Sequence, residues 1–514
     1  MLSTLKKAHY IAAIDQGTTS TRCIVFGQDG VPVSIDQAEH AQIFPKPGWV
    51  EHDPLEIWSN TQAVVRGALA KGGIEAHEIA AVGVTNQRET TVVWERATGR
   101  PIYNAIVWQC MRTQDFCSRW AEWDGWRQDR SGAGWVKEIT GLLIHPYFSG
   151  TKIKWILDNV PGSRERASRG ELLFGNIDTW IIWNLTGGPD GGVHATDVSN
   201  ASRTLLMNIK TREWEHEMTD FLDVPPAMLP EIKPSSHIYG TTKKNGPFME
   251  GTPVAGDLGD QQAALFGQAC FASGEAKNTY GTGCFMLMNV GELPVFSHNG
   301  LLTTAAYSLR AGTCVYALEG SVANAGSAVQ WLRDNLRIVD ESPDSEYLAG
   351  KVDDSGGVCF VPAFSGLYAP YWDMSARGAI VGLTRYARKE HIIRATLESI
   401  CYQTRDVFDA MRVDSGIELS ELRIDGGAAR NNLMMQMQAD ILGARVVRPI
   451  VGETTALGAA YAAGLAVGFW RDLDELSANW TRETSFAPAI SDEKRAAGYA
   501  DWKKAVEKSR GWVE

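Results

Sequence analysis

An arginine and a glutamate, Arg88 and Glu89, stand side by side between two apolar stretches, IAAVGVTN and TTVVWE. Neighbouring residues on a strand point to opposite faces of a sheet, so one flat strand cannot direct both side chains to one place. The pair is therefore either a salt bridge at a surface bend or the two halves of a ligand clamp. The local sequence leaves both interpretations open.

A turn rich in glycine and threonine, DQGTTSTR (residues 15–22), follows the first apolar stretch of the chain. Its backbone N–H groups and hydroxyls could surround phosphate oxygens, and Asp15 could hold Mg²⁺ through water. An ordinary hairpin with a solvated aspartate explains the same residues equally well. The chain has no GxxxxGK[ST], HRD or DFG motif, which excludes a P-loop kinase and a protein kinase.

Two later turns have the same glycine-rich character, NTYGTGCF (residues 278–285) and DGGAARNN (residues 425–432). Glycines let a backbone approach a ligand closely, although a simple turn or helix start would also use them. Three such turns in one chain favour phosphate or nucleotide binding.

The stretch GDLGDQQAALFG (residues 256–267) places Asp260 at the predicted start of a helix. A carboxylate at a helix N-terminus is expected to have a lowered pKa and to stay ionised. An ionised Asp260 could accept the proton of a substrate hydroxyl during attack on phosphorus. Helix capping is the alternative, and it explains Asp260 without any role for Gln261.

The elements that position these residues begin with a predicted β-meander over residues 9–37. A helix follows, with Asp53 as N-cap, Pro54 in its first turn and Gly72 just past its end. The stretches IAAVGVTN and TTVVWE predict two further strands. A meander followed by alternating strands and helices predicts a mixed sheet covered by helices.

The second half repeats this theme without obvious sequence identity. AKNTYGTGCFMLMNV predicts two strands around a short turn, and LRIDGGAARNNLMMQMQADILG predicts a strand, a turn and a helix closed by Gly443. ALGAAYAAGLAVG predicts a helix of small residues that packs closely. We place the boundary between Phe266 and Lys277, which gives domains of residues 1–266 and 267–514 with a cleft between them.

The chain has 514 residues, 44% hydrophobic and 21% charged, as expected for a globular protein of two domains. Its formal net charge of −12 argues against general nucleic-acid binding. We find neither a secretory leader nor an apolar stretch of about 18 residues, so we expect no membrane insertion and a cytoplasmic location. Eight scattered cysteines without a CxxC pair predict free thiols, and the ten histidines lack zinc-ligand spacing.

Longer motifs join these fragments. The stretches YFSGTKIKWILDN (residues 147–159) and GAIVGLTRYARKEHIIRATLE (residues 378–398) match two family patterns. From about residue 10 to residue 512 the chain resembles the FGGY carbohydrate kinases. The stretches PKPGWVEHDP, TNQRETT, YNAIVWQC, GDQQAALFGQ, NTYGTGCFMLMN and ETTALGAAY resemble the branch that acts on glycerol. The resemblance implies an α/β fold of two actin-like or ribonuclease-H-like domains with the active site in the cleft.

The resemblance also implies roles for individual residues. Asp260 would be the catalytic base, and Asp15 would be the carboxylate near Mg²⁺. The polyol would be bound by Arg88, Glu89, Tyr147, Asp260 and Gln261, between the aromatic walls Trp108 and Phe285. The nucleotide would be bound by Thr18, Thr19, Ser20, Arg22, Thr282, Gly326, Gln330, Gly427 and Asn431.

The implied reaction is the phosphorylation of glycerol by ATP to sn-glycerol 3-phosphate, with in-line transfer and Mg²⁺ on the phosphates. Arginine only donates hydrogen bonds and ionised glutamate only accepts them, so Arg88 and Glu89 together would satisfy vicinal hydroxyls. We also expect a homo-oligomer, either a dimer or a tetramer. The alternatives are an FGGY kinase for another polyol or a pentulose and, from a different class, an actin- or chaperone-like ATPase.

Three features depart from the family pattern. Residues 241–253 do not reproduce the glycine- and arginine-containing loop of bacterial members that a sugar bisphosphate regulates, so we do not expect that regulation. Arg430 occupies an apolar position beside the adenine turn, and Tyr368 replaces a glycine. Either residue could alter nucleotide affinity or cleft closure.

Overall fold

The computed structural model describes residues 8–123, 131–244 and 246–513, so residue 245 of the 241–253 segment lies outside the described residues. The strands are β1 (Tyr10–Gln16), β2 (Ser20–Phe26), β3 (Pro32–Glu39), β4 (Glu51–His52), β5 (Ile79–Asn86), β6 (Val92–Glu95), β7 (Ala105–Ile106), β8 (Leu172–Gly175), β9 (Ala195–Asp197), β10 (Glu231–Lys233), β11 (Ser236–Thr241), β12 (Pro253–Gly259), β13 (Ala276–Tyr280), β14 (Cys284–Gly291), β15 (Leu302–Tyr307), β16 (Val315–Val322), β17 (Cys359–Val361), β18 (Ala379–Val381), β19 (Glu421–Asp425), β20 (Arg445–Pro449) and β21 (Arg482–Phe486). The α-helices are α1 (Pro54–Gly72), α2 (Gln114–Ala121), α3 (Gly132–Thr140), α4 (Ser149–Asn159), α5 (Ser163–Ser168), α6 (Ile177–Leu185), α7 (Val198–Ala201), α8 (His216–Phe221), α9 (Asp260–Gly267), α10 (Gly326–Trp331), α11 (Asp344–Ala349), α12 (Lys389–Ser415), α13 (Asn432–Leu442), α14 (Thr454–Ala466), α15 (Leu473–Asn479) and α16 (Asp492–Ser509).

The first half is built on a six-stranded sheet of order β11–β12–β5–β1–β2–β3. Strands β1, β2 and β3 form the predicted antiparallel meander, whereas β5 and β12 run parallel to β1. Helix α1 starts as predicted, since the side chain of Asp53 accepts a hydrogen bond from the N–H of Leu55 at 2.8 Å. Its predicted end is one residue short, because Gly72 is still helical and the left-handed backbone of Gly73, with φ of 62°, closes the helix.

The second half repeats this topology in a seven-stranded sheet of order β15–β16–β14–β13–β19–β20–β21. Strands β13, β14 and β16 are antiparallel neighbours, as β1, β2 and β3 are, and β19 and β20 run parallel to β13, as β5 and β12 do to β1. The glycine-rich turns occupy matching places, directly after β1, β13 and β19. The predicted duplicated α/β fold is confirmed.

Two helices fill the space between the sheets. Helix α9 contacts strands of both sheets, and α14, which comes from the second half of the chain, packs on β1, β5 and β12 of the first. The contact is close because both surfaces contain glycine: a Cβ on Gly83 would overlap the backbone of Ala459, and a Cβ on Gly458 would overlap the backbone of Ala263. The prediction of a closely packing small-residue helix is correct. The domain boundary at residues 266 and 267 stays a prediction.

In the described residues, 8–123, 131–244 and 246–513, no helix is both long and apolar enough to cross a bilayer. All eight cysteines are free thiols, as predicted, and seven of them are buried.

Candidate active site

The predicted site residues gather where parallel strands end. Asp15 lies near the end of β1 and pairs in register with Thr85 of β5, which in turn pairs with Leu258 of β12. Arg88 and Glu89 follow β5, and Asp260 follows β12 directly. Because the carboxyl ends of parallel strands lie at one edge of the sheet, these three segments meet there.

A tight backbone turn brings Arg88 and Glu89 into one site. Glu89 has a positive φ of 59°, and the N–H of Thr90 donates to the carbonyl of Arg88 at 2.7 Å. This is the rare, strained type of three-residue γ-turn. It breaks the alternation of the strand, so both side chains enter the same buried network, with Arg88 2% and Glu89 1% exposed. The alternative of a surface salt bridge is wrong.

The guanidinium group of Arg88 contacts five side chains, of which Glu89 is the most distant, with its Oε1 3.9 Å from Nε. Nε lies 3.1 Å from Asp260 Oδ1, and Nη1 donates to Gln262 Oε1 at 3.2 Å. Nη1 also pairs with Glu319 Oε2, while Nη2 donates to Glu319 Oε1 at 3.1 Å. Of the four hydrogen bonds that Arg88 donates, the one from Nη2 to the hydroxyl of Tyr147 is the longest, at 3.4 Å.

Two fully buried residues complete the charge balance around the turn. Arg203, which follows α7, donates from Nε to Glu89 Oε1 at 2.6 Å and from Nη2 to Glu319 Oε1 at 3.0 Å. Glu319 lies on β16, so the second sheet supplies one member of the network. Burial alone would raise the pKa of Glu319, but Arg203 and Arg88 hold that pKa below its usual range. Arg88, Arg203 and Glu319 therefore remain ionised together without solvent.

Three aromatic rings form the apolar side of the site. The ring of Trp108 meets Tyr147 edge-to-face at 5.5 Å between centroids and meets Phe285 in the same manner at 6.4 Å. The indole Nε1 of Trp108 donates to the hydroxyl of Thr18 at 2.9 Å. Since Thr18 lies in the turn after β1, this bond joins the aromatic wall to the predicted phosphate turn.

Asp260 lies in the first turn of α9 and keeps 27% of its side chain exposed. Its Oδ1 accepts from the backbone N–H of Gln261 at 2.7 Å and forms an ion pair with Nε of Arg88 at 3.1 Å. Burial raises the pKa of Asp260 to about 6, against the opposing influence of Arg88 and Lys277. The predicted lowering is therefore wrong in direction, because the loss of water outweighs the helix N-terminus. Solvent at the exposed fraction moderates the rise, and the group is still mainly ionised at neutral pH.

Gln261 is oriented by a buried lysine. Lys277 on β13 donates from Nζ to Gln261 Oε1 at 2.6 Å and to Thr279 Oγ1 at 2.9 Å. Burial lowers the pKa of Lys277 to about 8, and Asp425 and Asp260 oppose that change. Lys277 thus fixes the orientation of the Gln261 amide, whose NH₂ group can donate to a ligand.

The residues predicted to bind phosphate divide between a turn and a strand. Thr18 and Thr19 lie in the short turn that the hydrogen bond from Gly17 N to Ser20 O closes at 2.9 Å. Ser20 lies on β2 instead, where its hydroxyl accepts from Gln37 Nε2 at 3.1 Å. Only residues 17–19 therefore form the turn itself and offer their side chains and backbone N–H groups to a phosphate there.

Arg22 also lies on β2, and it forms ion pairs with Asp15 and with Glu453, the latter at 2.7 Å. Glu453 precedes α14, so Arg22 ties the two halves together beside the turn. Within the described part of the chain, no three acidic, histidine or cysteine side chains converge to hold a metal ion. A single buried carboxylate such as Asp15 nevertheless fits Mg²⁺, which takes one or two carboxylates together with substrate phosphates.

A cavity of about 400 Å³ in the second half contains every residue that the sequence assigns to the nucleotide there. These residues are Thr282, Gly326, Gln330, Gly427 and Asn431. Apolar side chains supply much of the remaining wall, among them Val329, Leu397, Ile400 and Met434. A concave apolar site with a few polar groups suits a planar base.

Arg430 lines both this cavity and a neighbouring one of about 320 Å³, and its side chain is exposed. That the turn beside Arg430 binds adenine stays a prediction. Tyr368 lies elsewhere: it stacks on Trp372 with 5.7 Å between ring centroids and an angle of 13° between planes.

Two family models match most of the chain. The N-terminal domain of the FGGY family of carbohydrate kinases matches residues 10–267, and the C-terminal domain of the same family matches residues 276–467. The chain belongs to the FGGY family of carbohydrate kinases.

Individual FGGY kinases match almost the whole chain. A glycerol kinase of Roseiflexus sp. (strain RS-1) is 61% identical over 507 residues, which cover 99% of this chain and 100% of that protein. A glycerol kinase of Caldanaerobacter subterraneus subsp. tengcongensis is 60% identical over 510 residues, with coverage of 99% and 100%. The crystal structure of Plasmodium falciparum glycerol kinase with ADP is similar with a TM-score of 0.90 and 38% identity, and covers 98% of each chain.

Three charged residues of this FGGY kinase site escaped the sequence analysis: Arg203, Lys277 and Glu319. All three are fully buried. A signal existed for Glu319, since it is the one charged residue in the otherwise apolar stretch VYALEGSV. Arg203 lies in a polar stretch where a buried arginine cannot be told from an exposed one.

Proposed function

We propose that this FGGY kinase transfers the γ-phosphoryl group of ATP to a terminal hydroxyl of glycerol, giving sn-glycerol 3-phosphate and ADP. Relatives at 60% and 61% identity over nearly the whole chain are glycerol kinases. The observation that carries the proposal is the meeting of Asp260 with the Arg88–Glu89 turn beside the rings of Trp108 and Phe285.

The polyol is bound through its hydroxyls on one side and its carbon backbone on the other. Glu89 Oε1 already accepts from Arg203, so Oε2 accepts from a polyol hydroxyl. A second hydroxyl enters between Arg88 and Tyr147, because their 3.4 Å contact is long and one oxygen there can replace it with two shorter hydrogen bonds. The rings of Trp108 and Phe285 cover the carbon atoms.

Asp260 acts as the general base. Its Oδ1 is held by Arg88 and by the N–H of Gln261, so Oδ2 takes the proton of the attacking hydroxyl. That oxygen bonds to the γ-phosphorus as the bond from phosphorus to the ADP oxygen breaks, in line. A pKa of about 6 keeps Asp260 ionised at neutral pH while leaving it basic enough to accept a proton.

ATP lies across the second half, with its base in the 400 Å³ cavity and its phosphates toward the turns that follow β1 and β13. Backbone N–H groups and the hydroxyls of Thr18 and Thr282 donate to the phosphate oxygens. Asp15 would hold Mg²⁺ through water, and the ion would supply charge neutralisation on the phosphates when bound. Closure of the halves excludes water from the transferring group.

Two other functions fit parts of the site: phosphorylation of another polyol or a pentulose, and an actin- or chaperone-like ATPase. A kinase for a longer polyol or a pentulose is disfavoured, because the relatives that are 60% and 61% identical over nearly the whole chain are glycerol kinases. An actin- or chaperone-like ATPase would share the sheets and turns but would have no use for Arg88, Glu89 and the Asp260–Gln261 pair together. We favour neither.

A coupled assay of ADP release across a panel of polyols and pentuloses tests the proposal. We expect glycerol to give the highest kcat/KM, and Asp260→Asn to lower kcat by about 10²- to 10⁴-fold with nucleotide binding retained. Asp257→Asn is the matched control, since Asp257 lies three residues earlier, is fully buried and is not part of the site. Preference for a pentulose, or ATP turnover that is independent of any polyol, would contradict the proposal.

We further propose a cytoplasmic location, where ATP is available, two domains that divide near residue 266, and a homo-oligomeric state. Light scattering coupled to size-exclusion chromatography tests the last point, and a monomer at micromolar concentration would contradict it.

A further inference from the structure

A buried lysine lies behind the polyol site, and no carboxylate of the described residues forms an ion pair with it. Lys152, in the first turn of α4, is 0% exposed. Its Nζ donates to two backbone carbonyls, that of Tyr147 by a short contact and that of Glu89 at 3.4 Å. Among the described residues, no ion pair involves Lys152. Burying an ammonium group is costly, and an apolar side chain in the same place would avoid that cost. The presence of a lysine therefore indicates that its hydrogen bonds to the two carbonyls have a role.

One of these two carbonyls, that of Glu89, belongs to the strained γ-turn, so a hydrogen bond to it helps to hold the turn. Three side chains donate to this one oxygen: Lys152 at 3.4 Å, Ser149 at 3.2 Å and Thr91 at 3.1 Å. The hydroxyl of Ser149 is itself held by Asn176, whose Nδ2 donates to it at 2.9 Å. A positive φ at a glutamate persists only where surrounding groups fix the peptide, and these donors do so.

Lys152 therefore touches the backbone of two residues whose side chains line the polyol site, Glu89 and Tyr147. We propose that Lys152 is a positioning residue of the polyol site: its ammonium group clamps the carbonyls of Glu89 and Tyr147 and so fixes where their side chains meet the polyol. This inference rests on the proposed function. It assigns Lys152 no contact with the substrate and no part in proton transfer.

The clamp is sensitive to pH. Burial lowers the pKa of Lys152 to about 7, whereas Glu89, Cys110 and Cys117 act to raise it and Arg112 acts to lower it. His145 also faces Lys152, but burial lowers its own pKa to about 4, so it stays neutral. As the pH rises through about 7, the ammonium becomes an amine and its hydrogen bonds to the carbonyls weaken. Glycerol binding then weakens without loss of a catalytic group.

Steady-state kinetics of Lys152→Met, Lys152→Arg and the wild type test the clamp, with glycerol and ATP varied separately. We expect Lys152→Met to raise KM for glycerol by about tenfold or more, as loss of a charged buried hydrogen bond predicts, with KM for ATP within about twofold. Lys152→Arg should restore part of the difference. The wild-type KM for glycerol should rise between pH 6.5 and about 8, and that rise should be absent in Lys152→Met.

Lys154→Met is the matched control, because Lys154 lies on the same helix but is partly exposed and pairs with Asp158 at 3.2 Å. It should leave both KM values unchanged. Equal changes in both KM values, or no change, in Lys152→Met would overturn the inference. If that variant does not fold, Ser149→Ala and Lys152→Arg take its place, and KM for glycerol is again compared with KM for ATP. Unchanged KM values in both of these variants would overturn the inference. A wild type inactive on glycerol would refute the proposed function instead.

Discussion

The side chains of Arg88 and Glu89 reach one pocket because the backbone turns at Glu89, where φ is 59°. The strained turn puts a donor group and an acceptor group on the same side of the strand end. Gly259, at the end of β12, makes room for this arrangement, since a Cβ there would lie 2.7 Å from Cγ and Cδ of Arg88. The positions of the Arg88 and Glu89 side chains thus depend on the backbone conformation of Glu89 and on the absence of a side chain at Gly259.

The pKa of Asp260 gives a prediction at the scale of a single residue. Because its pKa is raised to about 6, the base is lost to protonation below that pH. We expect kcat to rise with pH through about 6 and then to level off, falling about tenfold per pH unit on the acid side. A pH–rate profile between pH 4.5 and 8, with both ATP and glycerol saturating, measures this. A profile that stays flat down to pH 5 would show that Asp260 is not the base.

The residue scale is also where sequence prediction was least complete. Asp260, Gln261 and the Arg88–Glu89 pair could be proposed from the sequence, because the stretches GDQQAALFGQ and TNQRETT resemble those of FGGY kinases. The positive φ of Glu89 could not, because glutamate has no preference for that conformation and only its surroundings impose it. Glu319 could not be placed either, since its distance in sequence from Arg88 gives no sign that the two meet.

At the scale of elements, the contact between α9 and α14 holds the site in place. Asp260 is the first residue of α9, and Glu453, which pairs with Arg22, comes directly before α14. The two helices touch through backbone at Gly458 and Ala263. A small shift between these helices would therefore move the base relative to the phosphate turn.

Gly458→Ala tests this contact. A Cβ on Gly458 would overlap the carbonyl of Ala263, so the helices must separate, and we expect a loss of about 1–3 kcal/mol in the free energy of unfolding. Gly452→Ala is the control, since no atom lies within 4 Å of a Cβ at that position and the change in unfolded-chain entropy is the same. Thermal unfolding measures the difference. Equal melting temperatures for the two variants would mean that the helices are not in backbone contact.

Helices and strands were predicted well where their ends carry a chemical signal. Asp53 and Pro54 mark the start of α1 correctly, and Gly443 marks the end of α13. The end of α1 was misjudged because Gly72 and Gly73 adjoin, and only the backbone conformation shows which of them terminates the helix. Arg22 was assigned to a turn but lies on β2, because the turn is shorter than its run of polar residues suggests.

On the scale of the whole molecule, the two halves share the order of six strands, and a glycine-rich turn follows the corresponding strands β1 and β13. The sequence predicted this duplication from the repeated pattern of strands and turns. It did not predict that α14 would cross to the sheet of the first half, because a helix of alanine and glycine carries no sign of which surface it packs on.

Three fully buried aspartates in the first half, Asp178, Asp197 and Asp257, give a prediction about overall stability. Burial, followed by the charges of Asp178 and Asp197, raises the pKa of Asp257 well above 3.8. The folded protein therefore holds this proton more tightly than the unfolded chain does, and stability is lost as the pH rises above 3.8 toward the folded pKa. Each pKa unit corresponds to about 1.4 kcal/mol.

Asp257→Asn removes that titration while keeping the shape of the side chain. We expect its melting temperature to fall less than that of the wild type between pH 5 and pH 8, and to exceed the wild-type value at pH 8. Asp190→Asn, at an exposed position, is the control and should follow the wild type. Parallel curves for all three proteins would mean that Asp257 is not the source of the pH dependence. Differential scanning fluorimetry is sufficient for the comparison.

The crossing of α14 has a consequence for the nascent chain. The last strand of the central parallel set, β12, ends at Gly259, but the helix that covers it ends at Ala466. At a synthesis rate of about 5–20 residues per second, roughly 10–40 s separate the emergence of the two from the ribosome. During that interval one apolar face of the first sheet has no cover. We expect chaperones to bind this enzyme while it is being translated. We also expect a chain truncated near residue 450, which lacks α14, to be prone to aggregation.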